Sequence, residues 1–322
     1  MKKLYLIILL SITLLLAGCS SSNNNSSNGG TGAFKGGNDA LTIEFAEGTP
    51  PDSIRDQGLE PFSVMVDVKN EGEFDIPENS AFVALSGIGS EALGINDTSK
   101  AVPQLNGYRK DGDNVLEGRT QRVIFSNLRY YEDVRSGSIP VTLYATVCYP
   151  YETRALTLVC INGDTNPSLD EKTQICDLNS DRESSNSGGP IQIENVKQYA
   201  FGSNSIQISF DVVHTPVSTV ANVYERGSID QDCKINGERL GSAQARLAKD
   251  KVKYTVDTGL SGLNCGDTGS NSEVVYLTND RYKVTCVQDT TGQEEYEKPI
   301  AITLEYDYVD NINKEITIQH RG

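Results

Sequence analysis

Seven cysteines carry most of the chemistry open to this sequence. The first, Cys19, closes Leu16-Ala17-Gly18-Cys19, a lipobox pattern. Small residues before a cleavage point fit a peptidase groove, and the thiol that follows is the nucleophile able to take a lipid. Behind Lys2 and Lys3, the apolar run from Leu4 to Leu16 is short for a bilayer span and has the length of a signal-peptide core. The expectation is a leader over 1–18 and an exported chain held by lipid on Cys19 at the outer face of a membrane. One acyl chain binds weakly, so firm retention takes several. The other six are Cys148, Cys160, Cys176, Cys233, Cys265 and Cys286. An even set in an exported protein reads as disulfides. None lies in a CxxC pair, and the two histidines, His214 and His320, are far apart, which gives zinc little support. Three cysteines fall in each half, so either one bridge ties the halves together or two thiols stay free. Cys160 with Cys176, and Cys265 with Cys286, are the favoured local bridges.

Carboxylates offer a second chemistry. Asp257-Thr258-Gly259 follows the apolar strand candidate Tyr254-Thr255-Val256, as the catalytic triplet of aspartic proteases does, and Asp267-Thr268-Gly269 comes ten residues later. Such enzymes share a proton between two carboxylates across a symmetric interface, and triplets this close are poorly placed to do so. The same residues make ordinary turns. Asp257 is therefore the one candidate catalytic residue, and a secreted hydrolase or aspartic-type protease the alternative reading. No complete G-x-S-x-G occurs, and both histidines read as strand-end surface residues. For metals, Asp177, Asn179 and Asp181 begin like a calcium loop. However, Arg182 stands where the turn glycine belongs, and Gly188 where the bidentate Glu belongs. Calcium is weighed against plain solvated charge there, and also at Asp111/Asp113 and Asp230/Asp232. Otherwise no cofactor is expected. Asn24, Asn25 and Asn96 lie in glycosylation triplets.

The balance of 28 basic against 44 acidic residues gives a net charge of −16. Loss of Lys2 and Lys3 with the leader would take it to about −18, a charge that repels phosphate backbones. No basic stripe with interleaved aromatics is present, so nucleic acid is excluded as a partner. Membrane lipid, through Cys19, and an envelope polymer or surface protein are the expected partners.

The elements that must position these groups are strands. Phe62, Val64, Val66 and Val68 alternate with polar residues before a turn at Asn70-Glu71-Gly72. The same alternation runs through Ile206–Val212 and Ile300–Tyr308. A turn at Asp310 to Asn313 is expected to lead into a last strand, Lys314 to His320. Ala243 to Lys253 is the best helix candidate, and it is short. Ser20 to Gly37, nearly all Ser, Asn and Gly, reads as a flexible tether. The fold class is all-β: two tandem immunoglobulin-like antiparallel β-sandwich domains after a signal peptide and a flexible linker. The expected layout is a leader at 1–18, an anchored linker at 19–37, domain one at 38–163, a linker at 164–189 and domain two at 190–322. Ser184 to Gly189 should be the most flexible link. The chain has no Trp, so the immunoglobulin-type core Trp is impossible.

The alternating strand at Val64-Met65-Val66-Asp67-Val68-Lys69, ending in Asn70-Glu71-Gly72, resembles the CARDB adhesion-type domains of bacterial and archaeal surface proteins. Cys148-Tyr149-Pro150-Tyr151-Glu152-Thr153, then Cys160, is similar to uncharacterised archaeal surface proteins of two-domain layout. The resemblance implies a surface binding or structural role and supplies no catalytic residue. The function expected is that of a membrane-anchored cell-surface lipoprotein with a non-enzymatic binding, adhesion or envelope-structural role.

Overall fold

The computed structural model describes residues 33–111, 114–165 and 175–320. Period-two alternation becomes strands almost everywhere it occurs. The first half of the chain gives β1 (Leu41–Phe45), β2 (Ser53–Arg55), β3 (Phe62–Asn70), β4 (Phe82–Ser86), helix α1 (Ser90–Leu93), β5 (Ser99–Ala101), β6 (Arg109–Asp111), β7 (Asn114–Leu116), β8 (Thr120–Leu128) and β9 (Ser138–Ile161). The second half gives β10 (Ser180–Arg182), β11 (Ser184–Asn186), β12 (Ile191–Phe201), β13 (Ser205–His214), β14 (Asn222–Tyr224), helix α2 (Ala243–Ala248), β15 (Lys251–Asp257), β16 (Leu263–Cys265), β17 (Ser272–Tyr276), β18 (Arg281–Asp289) and β19 (Tyr296–Gln319).

The fold is all-β, and its sheets are antiparallel apart from the β2–β19 pair, which is parallel. A long central sheet runs β17-β15-β19-β9-β4-β5, with β11 added on β9 and with β14 and β2 added on β19. One face of this sheet carries two smaller sheets. Sheet β1-β3-β8 lies toward β4 and β5, where Lys100 sits 5.3 Å over the Phe125 ring. Sheet β10-β12-β13-β18-β16 lies toward β15, where the Phe210 and Tyr254 rings meet edge-on at 6.2 Å. The two lobes share one contiguous core that reaches from Val64 and Phe125 to Ile208 and Val284.

The strands do not part at 164–189 as two separate tandem units would. β9, before that segment, and β19, after it, pair without interruption from Tyr296 opposite Ile161 to Gln319 opposite Ser138. Two expectations change with this, the turn at Asp310 to Asn313 and the loose link at Ser184 to Gly189. The turn foreseen at Asp310 to Asn313 is continuous strand, because the buried Asp310 carboxylate accepts from Ser218 Oγ at 2.6 Å and from the Asn311 N–H at 2.8 Å. β9 likewise continues through Pro150. Proline gives the ladder no N–H, and beside it the Arg226 guanidinium donates to the Tyr151 and Tyr306 carbonyls, each at 3.2 Å. Ser184 to Gly189, expected as the loosest link, instead forms β11 against β9 and then a buried turn at Ser187 to Gly189.

Candidate functional site

Cys19, the leader, Asn24 and Asn25 lie outside the described residues, as do Gly112 and Asp113. Of the expected linker at 19–37, residues 33–37 are described, and they are docked. The Lys35 and Gly36 N–H groups donate to the Glu73 carboxylate at 2.9 and 3.1 Å. The six remaining cysteines form three bonds: Cys148–Cys233, Cys160–Cys176 and Cys265–Cys286. The first ties the two halves of the sequence together across 85 positions. Asp257 ends β15 at the surface, where its Oδ1 accepts the Gly259 N–H at 2.8 Å, an ordinary Asx turn. Thr258 beside it is buried and donates to Gln288 Oε1 at 2.7 Å.

Asp177, Asn179 and Asp181 are not brought together. Asp177 Oδ1 accepts the Asn179 N–H, Asn179 Oδ1 accepts the Ala200 N–H, and Asp181 pairs with Lys197. The Arg182 guanidinium donates to the Asp177 carbonyl, which places a cation in the loop already.

His214 corrects the surface reading. It is buried at the end of β13, with Nε2 3.2 Å from the Tyr308 hydroxyl. Its Nδ1 lies 3.4 Å from Asp280 without the alignment of a hydrogen bond. Burial pushes the imidazole below its usual range, against a smaller opposing pull from Asp280. A hollow of about 410 Å³ opens beside it. Asn279 and Asp280, which line that hollow at positive φ, form the tight turn, closed by the Thr278–Arg281 bridge, that carries the chain from β17 in the central sheet to β18 in the sheet of lobe two.

At the waist between the lobes four tyrosines form a tile. Tyr149 faces Tyr308 across the strands, and Tyr151 faces Tyr306; each pair of rings is 5.9 Å apart. Along the strands, Tyr149 and Tyr151 are 6.0 Å apart, and Tyr306 and Tyr308 are 6.3 Å apart. Aromatic pairs of this kind are worth about 0.5–1.5 kcal/mol beyond burial. The hydroxyls reach in different directions. Tyr149 Oη accepts the Leu41 N–H at 3.2 Å. Tyr151 Oη donates to the Gly188 carbonyl at 2.8 Å and accepts the Glu73 N–H at 3.1 Å. Tyr306 bonds Thr153 Oγ1 at 2.8 Å, and Tyr308 meets His214. Burial raises all four phenols far above their usual range, so they stay neutral. The close approach demands glycine: a Cβ on Gly72 would sit 1.8 Å from Tyr151 Oη.

Alternation sends Cys148 and Asp307 to the opposite face of the central sheet, where residues 224–250 form a cap. Cys233, Ile235, Ala245 and Ala248 pack there on Cys148 and Val309. The buried Asp307 carboxylate is pushed up to about 6 by desolvation, although it accepts the Ile229 N–H at 3.1 Å. Between the cap and β4 lies a groove of about 540 Å³, lined by Gly87, Ser90, Thr146, Lys234, Arg239 and Leu240. A neighbouring hollow of about 470 Å³ around Ser99, Lys100 and Gln231 shares Asp232 with it. Gly87, at φ 93°, admits no side chain, since a Cβ would lie 2.0 Å from the Thr142 carbonyl. Sequence reasoning passed over this groove because its lining comes from residues 84–98, 146 and 232–240, three stretches far apart in sequence, of which only Asp232, as half of a carboxylate pair, and the cysteine Cys233 stood out. The Cys148–Cys233 bridge was the one available signal, as a cross-half pairing that spacing left open.

No helix among the described residues is long and apolar enough to cross a membrane. No family model matches the chain, and no curated protein matches it.

Proposed function

We propose that the chain is an exported, lipid-tethered surface protein whose role is binding rather than catalysis, with the groove beside the cap as its contact surface. One observation carries this reading. The end of the expected tether, residues 35–37, docks at Glu73 and the waist on one face of the central sheet, while the groove opens on the other. A chain anchored through Cys19 would then hold its groove away from the membrane. Three disulfides suit an oxidising exterior, and the cap loop is pinned covalently by Cys148–Cys233, which lowers the ordering cost of binding. Arg239 at the groove, and Lys234 beside it in an ion pair with Asp232 at 2.6 Å, give a chain of net charge −16 a local basic contact for an extended polar or acidic envelope polymer or surface peptide. The resemblance of residues 64–69 and the turn at Asn70-Glu71-Gly72 to CARDB domains agrees with an adhesive role.

The test joins anchoring to binding. Native protein and a Cys19→Ala variant are compared by intact mass and membrane fractionation. Wild type and Lys234→Glu/Arg239→Glu are compared for retention on purified envelope material. The reading expects lipid mass and membrane retention only with Cys19, and loss of envelope retention in the double variant. A soluble, unlipidated wild type, or undiminished retention by the double variant, would overturn it.

A further inference from the structure

Three segments far apart in sequence bring metal-ligating atoms together at the end of β19. Asp56 follows β2, Asp133 lies between β8 and β9, and His320 stands directly after β19. His320 Nδ1 is 2.9 Å from Asp56 Oδ2 and 3.7 Å from Asp133 Oδ1, and the three ligand atoms all lie within 4.8 Å of one another. Asp56 is fully buried, His320 is about one quarter exposed at 27%, and Asp133 faces solvent.

The segments are fixed to one another through backbone. The Asp56 N–H donates to the Gln319 carbonyl at 3.1 Å, the His320 N–H to the Gly137 carbonyl at 2.8 Å, and the Gln57 N–H to the Glu132 carbonyl at 3.3 Å. The Val134 N–H donates to Asp56 Oδ2 at 3.0 Å. The ligand set is therefore held in place by the fold and is not a chance meeting of mobile side chains.

We propose that Asp56, Asp133 and His320 bind a divalent first-row transition cation of the zinc type. Metal–nitrogen and metal–oxygen bonds of about 2.0–2.2 Å put neighbouring ligand atoms of a tetrahedral site roughly 3.4 Å apart. The two measured N–O separations bracket that spacing. His320 Nδ1 faces both carboxylates, Asp56 Oδ2 at 2.9 Å and Asp133 Oδ1 at 3.7 Å. A cation between them engages both carboxylates while the imidazole keeps its proton on Nε2. Mixed imidazole and carboxylate donors suit zinc and its neighbours, and do not favour calcium. Three protein ligands leave a fourth position for water or for a group from a partner. Bound metal would clamp the end of β19 to β2 and to the loop before β9.

The test is calorimetric titration of the purified full chain with zinc chloride, repeated on His320→Gln and Asp133→Asn. The glutamine can keep a donor toward Asp56, and Asp133 is at the surface, so both variants should fold; thermal scans without metal check this. The proposal expects one equivalent bound by wild type, affinity lower by roughly tenfold or more in each variant, and a zinc-dependent rise in Tm that both variants lose. Binding of equal strength to wild type and variants would assign the zinc to general surface carboxylates and overturn the proposal. So would no binding at all.

Discussion

The two lobes build similar sandwiches with different resources. Lobe one, on sheet β1-β3-β8, has three strands and no cysteine in any of them. It is held by core packing and by buried amide chemistry: Asn70 Nδ2 donates to the Phe74 and Leu105 carbonyls at 2.8 and 3.2 Å, and Asn70 Oδ1 accepts the Gly72 N–H. Lobe two has five strands, with Cys265–Cys286 stapling β16 to β18 and Cys160–Cys176 fastening the chain that enters β10. A small sheet without staples depends on what it is joined to. For lobe one that is the shared β9–β19 pair and the tyrosine tile.

The strongest way to break this contrast is Tyr151→Ala, which removes a buried ring in contact with Phe74, Tyr149 and Tyr306. The expected cost is about 3–5 kcal/mol, read by denaturant unfolding. In the variant, amides of β3 and β8 should lose more protection than those of β13 and β18. Equal losses in the two lobes would erase the distinction.

Next in size is removal of the bridge between the halves. Cys148→Ser with Cys233→Ser should cost about 2–4 kcal/mol. Limited proteolysis should then cut first within 226–240, with both lobes still intact. Removing Cys265–Cys286 instead should loosen β16 and leave lobe one unchanged.

Asp307 gives a pH signature at the waist. Its folded pKa, about 6, lies above the ordinary carboxylate value, so its contribution to stability is full below about pH 4 and lost as pH rises through 6. The difference between wild type and Asp307→Asn should therefore change across that window by on the order of 2–3 kcal/mol, to the disadvantage of wild type at the higher pH. A flat difference would mean that the carboxylate is solvated. The smallest effect sharpens the role of the hydroxyls. Tyr151→Phe keeps the ring but strands the Gly188 carbonyl and the Glu73 N–H, at a cost of about 1–3 kcal/mol.

Most of the strands were legible because a half-buried strand writes its inner face at every second residue. Phe62 to Val68 and Ile206 to Val212 lie in strands with that alternation. Continuity was not legible. Pro150 and Asp310-Asn311 carry the local marks of a break, and only partners distant in sequence, Arg226 and Ser218, make extended strand affordable there. The division into halves misled for the same reason. The polar segment 164–189 looks like a linker, yet Ser184 Oγ and Asn186 Nδ2 both donate to the Ile193 carbonyl, each at 3.0 Å. Local cysteine pairs could be favoured from spacing, whereas the groove and the Asp56–Asp133–His320 cluster exist only through long-range pairing.

The central claim is that β9 and β19 make the two lobes one cooperative unit. Native-state hydrogen exchange on the wild-type protein tests it directly. A single shared opening free energy for the slowest amides of β3, β8, β13, β18, β9 and β19 is the result expected. Two separate values, one for each lobe, with β9 and β19 divided near Pro150, would contradict it.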